Sequence, residues 1–532
     1  MKMNDRGKTL WYLALPVLIL AACVLQQPAQ AQMTSTGIDC SQIASRHMLM
    51  QDNMGAGRAL IECGVVKGGT PASGHDVDPL QALPPNVLVS NRSCSSQTTC
   101  TKSESMVWPD TQAGSQLVVV NYNDNTGGSC YDGISYSTDG GTTWTQISPS
   151  PLCSGHGTNY GDPLVVYNQK LNLFFAGDLV TGCGGFGVGL WSSPDGINWT
   201  VAGCPADNDD SDRPSMWVDN NPFSSKYGRM YVSFNNFDVD GGALFVSHSD
   251  DGQTWSTPAQ LSTSFVREVQ LTGTPPGPPA PNATYTSTVF EASMNEGGGG
   301  GAMRQNLMFR STDGGVTWTE ITVGSPFSPA GDGICSTNSY FEQMNPIWRY
   351  MSWGQPAAGP NGVVHYAYSQ KGVLSHGDIA YTRSLDNGNT WSTPIVLNDP
   401  ETNQYQSHFF PSVSVNYSPG SFSQPEDVTV NWIDRRQATT ACNAVTDPGC
   451  NYQVYDVVSS DNGNTWSANT AVSDRIINEP AQDNPDIVAC YAGDYNYVTA
   501  LNSTAYITWT DGRVAVNGVQ VQNVEIETAG IP

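Results

Sequence analysis

An eight-residue box that recurs six times is the feature that most constrains how this chain can fold. Four copies read Ser-x-Asp-x-Gly-x-Thr-Trp, and they begin at Ser137, Ser311, Ser384 and Ser459. Two copies depart from the pattern: the copy at His248 has His in place of Ser, and the copy at Ser192 moves its Asp by one place. Because the six copies begin at positions 137, 192, 248, 311, 384 and 459, they are spaced like structural repeats of one blade each.

Each box is typical of a tight turn between two β-strands. Its glycine tolerates positive φ, and its Asp and Ser or Thr side chains can bond turn groups that no strand ladder satisfies. A strand-like run precedes each box, as at residues 243–246 and 454–458, and two more precede that run, as at 410–415 and 428–432. Four short strands per radially repeated unit predict an all-β fold, a β-propeller of four-stranded blades.

The last repeat indicates how many blades the ring has. After the sixth box come three further strand-like runs, around residues 495–501, 505–510 and 522–527, and none of them carries a box. Three strands need a fourth, which residues 86–90 can supply from the other end of the chain. Closure by the two chain ends also removes exposed edge strands, so we expect seven blades, with six as the alternative.

The N-terminus predicts export. Three basic residues precede an apolar run over 10–25, and Ala29-Gln30-Ala31 is typical of a signal-peptidase site, giving a signal peptide over 1–31. In the alternative, residues 20–23 form a lipobox and the chain is lipid-anchored through Cys23. We therefore expect a secreted, extracellular or periplasmic protein. No second apolar run is long enough to span a membrane, so we expect no transmembrane segment in the mature chain.

The cysteines also suggest an oxidising compartment. Apart from Cys23 there are twelve, an even number. Proximity along the chain suggests these pairs, although the sequence alone does not prove the connectivity: Cys40–Cys63, Cys94–Cys100, Cys130–Cys153, Cys183–Cys204, Cys442–Cys450 and, by remainder, Cys335–Cys490. The first pair lies in residues 32–85, which we interpret as a short, helical, disulfide-tied extension. We expect that extension to be structural, because it is poor in ionisable clusters, and we expect the propeller to span 86–532.

Charge excludes one class of partner. The chain has 48 acidic and 22 basic residues, a formal net charge of −26. Nucleic-acid binding requires a basic surface that releases counterions from phosphates. We therefore expect no nucleic-acid partner.

The box resembles the Asp-box, or BNR repeat, of the sialidase superfamily, and the six copies carry that resemblance across most of residues 86–532. The resemblance implies a β-propeller of glycosidase ancestry. Sialidases use a tyrosine nucleophile assisted by a glutamate, an arginine triad and an Arg-Ile-Pro motif near the first blade. No Arg-Ile-Pro occurs here, and its nearest remnant, Arg213-Pro214, lies in the third blade. The resemblance therefore supports the fold more strongly than sialidase activity.

Propeller topology separates scaffold from candidate chemistry. With strands A to D running from the channel outward, the boxes lie at C–D turns, and the starts of A strands share the opposite face with the ends of B strands. On that opposite face we predict four catalytic candidates, because glycoside hydrolysis needs an acid paired with a base or nucleophile. They are Asp212, Asp494, Tyr495 and Glu104, with Glu268 as an alternative partner for Tyr495.

The same face supplies candidate ligand-binding residues. Two matching Trp-x-Asp-x-Arg arrays contain Arg435, Arg436 and Arg513, which either bind an anionic or hydroxyl-rich ligand or pair with their own Asp to hold a loop. Three further candidates are Arg213, Asp162 and Trp217, the last for stacking on a sugar. Asp162 and Asp212 could also form a Ca²⁺ site with backbone carbonyls, and we expect no other cofactor or metal.

Two functions fit these residues. One is an exported glycoside hydrolase, exo-α-sialidase-like or acting on another glycan through an aspartate pair. The other is a non-catalytic propeller that binds glycan or protein at the cell envelope. The fold does not choose between them, because propellers host many functions. In either case we expect a glycan or glycoconjugate partner and a monomer.

Overall fold

The computed structural model describes residues 33–71, 86–90, 96–126, 128–274, 286–335, 338–344, 348–359, 362–416, 425–445, 447, 449–517 and 519–530. Its strands are β1 (Val87–Leu88), β2 (Lys102–Pro109), β3 (Val118–Asp124), β4 (Asp132–Ser137), β5 (Thr145–Ile147), β6 (Leu164–Asn168), β7 (Leu173–Val180), β8 (Gly187–Ser193), β9 (Thr200–Val201), β10 (Ser211–Val218), β11 (Met230–Asn236), β12 (Ala243–Ser249), β13 (Ala259–Gln260), β14 (Arg267–Gly273), β15 (Val289–Asn295), β16 (Arg304–Ser311), β17 (Thr319–Phe327), β18 (Gly333–Ile334), β19 (Glu342–Gln343), β20 (Arg349–Tyr350), β21 (Gln355–Ala358), β22 (Val364–Gln370), β23 (Asp378–Ser384), β24 (Ile395–Val396), β25 (His408–Val415), β26 (Val428–Asp434), β27 (Asn451–Ser459), β28 (Thr470–Ala471), β29 (Ile477–Asn478), β30 (Tyr497–Leu501), β31 (Thr504–Val516) and β32 (Val519–Gly530). The described helices are α1 (Met54–Glu62) and four 3₁₀ turns, Cys40–Gln42, Met48–Met50, Gln97–Thr99 and Pro151–Cys153.

The strands form seven antiparallel blades within the described chain. Blades one to six are β2–β5, β6–β9, β10–β13, β14–β17, β21–β24 and β25–β28, and a small sheet, β18–β20, lies between blades four and five in the sequence. The innermost strands contact each other in order, and β30 of the seventh blade contacts β2 of the first, which closes the ring. These inner strands are buried almost throughout, so the core runs between blades around the channel.

The seventh blade joins the two ends of the propeller. Its strands run β30, β31, β32 and β1 from the channel outward. Val87 pairs with Ile526 and Leu88 with Glu525, so the outermost strand comes from the segment that precedes blade one. The predicted fold, a seven-bladed propeller with a short helical extension, is confirmed, and seven blades replace the alternative of six.

The boxes form the expected C–D turns by a repeated hydrogen-bond pattern. In the first copy the Ser137 hydroxyl accepts from the Gly141 N–H at 2.8 Å, the Asp139 carboxylate accepts from the Thr143 N–H at 2.8 Å, and the Trp144 indole donates to the Gly141 carbonyl at 3.0 Å. These bonds satisfy turn groups that lie outside any strand ladder.

The alignment predicted for the two degenerate copies was wrong. In the third blade Ser249, not His248, donates to the turn aspartate, which is Asp251. The second blade does the same with Ser193 and Asp195. Both boxes are therefore one residue shorter than the others, with the serine and aspartate roles retained.

The extension lies over the channel mouth on the face opposite the boxes. Asn53 caps α1, because its side-chain oxygen accepts from the Ala56 N–H at 2.7 Å. Ile43, Met48 and Leu60 of the extension pack in a small cluster that Val488 of the propeller joins. Five disulfides are present in the described chain and are among the pairs expected from the sequence: Cys40–Cys63, Cys130–Cys153, Cys183–Cys204, Cys335–Cys490 and Cys442–Cys450.

Other expectations fall partly outside this structure. Cys94, Cys23 and the predicted signal peptide lie outside the described residues. Among the residues described, no helix has the length and apolar character needed to cross a membrane.

The packing of a box against the next blade can be tested at Gly463. This residue has φ of 71°, and a Cβ there would lie 1.8 Å from the Tyr381 hydroxyl in the neighbouring blade. Gly324 has φ of 68°, but a Cβ there meets nothing within 4 Å, so it is a matched control. We expect Gly463→Ala to destabilise the fold by about 1–3 kcal/mol more than Gly324→Ala, because the extra cost is overpacking between blades. Equal shifts of the urea unfolding midpoint would show that these blades do not pack closely here.

Candidate functional site

The channel mouth opposite the boxes carries backbone strain at residues singled out by the sequence. β-Bulges interrupt the innermost strands β2 and β10 near their starts. Glu104, Asp162 and Arg213 there have φ of 47°, 62° and 47°, left-handed values that L-residues rarely adopt. Each costs roughly 1–2 kcal/mol relative to a right-handed residue. Strained conformations of this kind are concentrated at functional sites, because they direct side chains differently from a regular strand.

Three arginines converge on one aspartate residue at this mouth. We call Arg213, Arg267 and Arg349 the arginine cluster. Arg213 Nη1 lies 2.9 Å from Asp52 Oδ2, and Arg267 Nη1 lies 3.2 Å from Asp52 Oδ1. Arg349 Nη2 donates to the main-chain carbonyl oxygen of Asp52. An aspartate of the N-terminal extension therefore lies at the centre of the propeller's channel mouth.

Asp52 and Asp212 form an unequal pair of carboxyl groups. Burial alone would raise the pKa of Asp52, but the charges of Arg267, Arg213 and Arg349 outweigh it and lower that pKa to about 2. For Asp212, burial and the negative charge of Asp52 raise the pKa well above its usual range, despite Arg267 at 2.9 Å. The pKa of Asp212 therefore lies above that of Asp52, which makes Asp212 the better proton donor of the pair.

A second group of residues surrounds Tyr495. Glu104 Oε1 accepts from the Asp494 N–H at 2.9 Å, and Glu104 Oε2 accepts from Asn123 Nδ2 at 2.8 Å. Burial, followed by the charges of Asp494 and Asp162, raises the pKa of Glu104 well above its usual range. The Arg213 guanidinium lies 5.2 Å from the centre of the Tyr495 ring, which places this tyrosine beside the arginine cluster. Burial and the charge of Glu104 raise the pKa of the Tyr495 hydroxyl.

Glu296 and Trp353 support the arginine cluster from the side of blade four. Glu296 Oε1 lies 3.3 Å from Arg267 Nε and accepts from the Trp353 indole at 2.7 Å. The Arg213 guanidinium lies 4.0 Å above the Trp353 ring. Tyr340 donates to Glu296 Oε2 at 2.6 Å. These contacts fix the orientation of two of the three arginines.

Two buried polar atoms in the site have no hydrogen-bond partner. They are Arg213 Nε and Glu268 Oε2. The other Glu268 oxygen accepts from Ser233 at 2.8 Å, and burial raises the pKa of Glu268 to about 8. Buried groups without partners are rare in native structures and call for an explanation.

The extension closes the site from solvent. Asp212 and Arg267 are 0% exposed, Arg349 is 4% exposed and Asp52 is 6% exposed. Tyr495 alone among the predicted catalytic candidates is partly exposed. A ligand that bound the arginine cluster would have to occupy the space that the extension now fills.

The structure brings six of the ten predicted site residues to this mouth. They are Asp212, Asp494, Tyr495, Glu104, Arg213 and Asp162. Asp494 lies in the site because Arg349 Nη2 and Nε donate to its two oxygens at 2.6 and 3.0 Å. Asp162 lies there because its Oδ2 accepts from the Arg213 N–H at 3.1 Å.

The structure places the other arginines in ion pairs away from the cluster. Arg436 Nη2 lies 2.6 Å from Asp434 Oδ2, and Arg513 Nη2 lies 2.8 Å from Asp511 Oδ2. Both therefore pair within their own Trp-x-Asp-x-Arg arrays, which is the structural alternative considered for them. Arg435 Nε lies 3.2 Å from Glu479 Oε1 and its guanidinium also donates to the Gly449 carbonyl.

Trp217 lies at the wrong end of the channel for its predicted role. It stands near the end of β10, whereas Asp212 stands near the start of that strand. Its ring lines a cavity of about 110 Å³ at the opposite mouth, together with Trp108, Leu271 and Tyr497. Trp217 was predicted to lie on the same face as Asp212, and the structure instead separates the two by the length of a strand.

The extension contributes residues to the site, which the sequence does not predict. It was interpreted as structural, but Asp52 and Asn53 lie inside the site, with Asn53 Nδ2 donating to Asp212 Oδ1 at 2.8 Å. Glu296 and Trp353 were missed as well. No periodicity or motif marks these four residues, because they come from loops whose path depends on the closed ring.

The acidic trio at the mouth does not fit calcium. Oxygens of Asp52, Asp162 and Asp212 lie within 4.8 Å of one another. Calcium takes six to eight oxygen ligands and needs their negative charge. Here Arg213 and Arg267 already donate to Asp52, and their positive charges oppose a cation at the same place.

Comparison with known proteins found no matching family model but several similar solved structures. No protein-family model matches it, and no curated protein matches it. Among solved structures, it is similar to the α-L-arabinofuranosidase Arb93A of Fusarium graminearum, with 10% identity, TM-score 0.42, 84% of this chain and 97% of that chain covered. An α-L-arabinanase of Penicillium chrysogenum, solved with arabinobiose, has 10% identity and TM-score 0.40, covering 85% and 99%. A variant of the NanB sialidase of Streptococcus pneumoniae has 13% identity and TM-score 0.38, covering 84% and 71%. With TM-scores below 0.5, these similarities carry no argument about what this chain does.

A buried carboxyl pair near the site makes stability depend on pH. Asp178 lies on β7 beside Asp132, and Asn159 Nδ2 donates to Asp178 Oδ2 at 2.9 Å. Burial raises the pKa of Asp132 to about 7 from an ordinary value of 3.8. Between these pH values the folded state holds a proton that the unfolded chain has released, so the pair reduces stability progressively as pH rises from about 4 to about 7.

Asp132→Asn removes that titration while keeping the size of the side chain. We expect the variant to be more stable than the wild type at pH 8 and to gain little at pH 4, with calorimetric melting temperatures as the measurement. Asp207→Asn is the control, because Asp207 is exposed. An equal gain at both pH values, or in the control, would contradict a shared proton at this pair.

Proposed function

We propose that this chain is a sialidase-like exo-glycosidase that binds a carboxylate-bearing sugar at the arginine cluster. The observation that carries the proposal is the convergence of Arg213, Arg267 and Arg349 on Asp52, a single carboxylate-bearing residue. Guanidinium groups are matched to carboxylates in charge and geometry. In this proposal a sugar carboxylate takes the place of the Asp52 side chain.

The residues beside the cluster suit hydrolysis of an acidic glycoside. The Tyr495 hydroxyl attacks the anomeric carbon while Glu104 accepts its proton, and the glycosidic C–O bond breaks. A neutral nucleophile suits this substrate, because a carboxylate would be repelled by the sugar's own charge. Protonated Asp212 donates its proton to the leaving oxygen. Water then attacks the glycosyl–tyrosine bond, with Asp212 as base, and Tyr495 regains its proton from Glu104.

In the closed site Glu104 is a poor base for this step. Glu104 must be ionised to accept a proton, yet burial and the charges of Asp494, Asp162 and Asp52 raise its pKa. Solvent entry would lower that pKa by restoring hydration of the carboxylate. Activity therefore requires an open form of the site.

The second candidate is a binding propeller without turnover. Its support is that Arg349 holds both oxygens of Asp494 and that Arg267 holds Asp212, so neither aspartate is free to act without rearrangement. The ligand would be the same acidic sugar in a glycan or glycoconjugate. For either function we propose export, which the five disulfides support because they persist in oxidising compartments.

The assay compares acidic with neutral sugars. Purified wild type and Asp52→Asn are each given fluorogenic α-N-acetylneuraminide, β-glucuronide and β-galactoside. We expect an acidic glycoside to be cleaved, with kcat at least about 100-fold lower in Tyr495→Phe, the scale of a lost proton-transfer or nucleophilic group. Tyr136→Phe is the control, since Tyr136 lies on β4 within the first blade.

Two outcomes would count against hydrolysis of an acidic sugar. Cleavage of the galactoside alone would contradict the role of the arginine cluster. Binding of N-acetylneuraminate by Asp52→Asn without turnover of any substrate would establish the binding propeller instead. Unchanged turnover in Tyr495→Phe would contradict the nucleophile assignment.

A further inference from the structure

We propose that residues 40–66 form an intramolecular plug, in which Asp52 mimics the carboxylate of the ligand and must leave before the ligand binds. The identity of that ligand rests on the proposed function, whereas the plug itself rests on the contacts below. The plug would make the protein latent until a competing acidic ligand, or a change in the surroundings, displaces it.

The tip of the plug supplies ligand-like groups to the arginine cluster. The Asp52 carboxylate pairs with the guanidinium groups of Arg213 and Arg267. The main-chain carbonyl oxygen of Met50 accepts from Arg267, and that of Asp52 accepts from Arg349. The main-chain N–H groups of Asp52 and Asn53 each donate to Asp212 at 3.2 Å. The tip therefore contacts all three arginines and the proposed acid at once.

The tip fills the site incompletely. Arg213 Nε and Glu268 Oε2 remain buried and unpartnered although both belong to the pocket that receives Asp52. A larger polar ligand that replaced the tip could bond these two atoms, because it would bring more donors and acceptors than one aspartate.

The plug is built to remain folded when it leaves. The Cys40–Cys63 disulfide ties its ends, and Ile43, Met48, Ala59 and Leu60 pack together in a cluster that Val488 of the propeller joins. Outside the tip, many of its polar contacts to the propeller are ion pairs at the rim. Arg46 lies 2.8 Å from Asp209 and Arg58 lies 3.0 Å from Asp486, and both aspartates are more than half exposed.

The balance of these contacts places the docking energy at the tip. Exposed ion pairs contribute little, because water and salt screen them. The apolar contribution comes from Met54, which joins the propeller core, from the packing of the extension on Val488, and from the close approach of Gly55 to the Phe186 ring. The buried Asp52 carboxylate is therefore the group whose loss should most weaken docking.

Departure of the plug would also switch the electrostatics of the site. The Asp52 charge contributes to the raised pKa values of Asp212, Asp162 and Glu104. Admitting water to the mouth lowers the pKa of Glu104, so Glu104 can ionise, whereas a sugar carboxylate in the place of Asp52 restores the negative charge that raises the pKa of Asp212. Departure of the plug would therefore both free the arginine cluster and prepare Glu104 to accept a proton.

Hydrogen–deuterium exchange of the purified protein tests the plug directly. The amides of Asp52 and Asn53 report docking, because they donate to Asp212 across the interface. We expect Asp52→Asn to raise exchange over residues 48–56 by at least about tenfold, since truncating one member of a buried charge pair costs more than a tenfold change in equilibrium. Exchange in the blade strands should not change.

Two further variants separate docking from folding. Asp39→Asn is the matched control, because the Asp39 carboxylate accepts from the Ser41 N–H inside the extension. Arg46→Ala removes the ion pairs of Arg46 with Asp209 and Asp210, and we expect a few-fold increase in exchange over residues 48–56 with the arginine cluster intact. Unchanged exchange in Asp52→Asn, or a rise that spreads equally through the blades, would overturn the plug.

Added sugar distinguishes failure of the plug from failure of the proposed function. With wild-type protein, N-acetylneuraminate should raise exchange over residues 48–56, and its neutral relative N-acetylmannosamine should not. If Asp52→Asn opens the tip but neither sugar binds, the plug stands and the acidic-sugar function fails. If N-acetylneuraminate binds the wild type while residues 48–56 stay protected, the plug is contradicted.

Discussion

The interaction on which the site depends is the burial of Asp52 among three guanidinium groups, two of which bind its carboxylate while the third binds its main-chain carbonyl. Arg213 and Arg267 come from blades three and four, and Arg349 comes from the small sheet after blade four. Each charge would be costly to bury alone, and the cost is offset only when they meet. The closed ring makes that meeting possible, because it holds the starts of separate inner strands around one axis.

Ring closure also explains how strained residues are tolerated. Glu104 and Arg213 adopt left-handed backbone conformations within inner strands that are buried and paired with the next strand of their own blade. The strand-pairing hydrogen bonds on both sides of each bulge hold the backbone in place, so the strained conformation is retained. The boxes on the other face contribute turns and interblade packing, which leaves the mouth free to carry charge.

The fold could be predicted from the sequence because its information is local. Each box carries its own turn chemistry, and the three unboxed runs after residue 466 required a fourth strand, which Val87 and Leu88 supply. The box alignments around Ser193 and Ser249 were wrong, because a one-residue deletion in a short motif resembles a substitution.

The site could be predicted only where topology sorts residues onto a face. Asp212, Arg213 and Asp494 were found because inner strands begin at the mouth. Arg436 and Arg513 share that face, but each forms an ion pair with the aspartate two residues before it. The sequence does not show whether such an arginine pairs with its neighbouring aspartate or with a ligand. Asp52 was missed because its role depends on where a separate segment docks, a long-range contact without a local pattern.

The most direct measurement of the central claim is a crystal structure of Asp52→Asn grown with N-acetylneuraminate. The account predicts the sugar carboxylate between Arg213, Arg267 and Arg349, with residues 40–66 moved away from the mouth as a folded unit. A side chain at position 52 that is still seated among the arginines, with no sugar in the mouth, would contradict it. In that case the extension would be a permanent part of the propeller, and the arginine cluster would serve to hold it there.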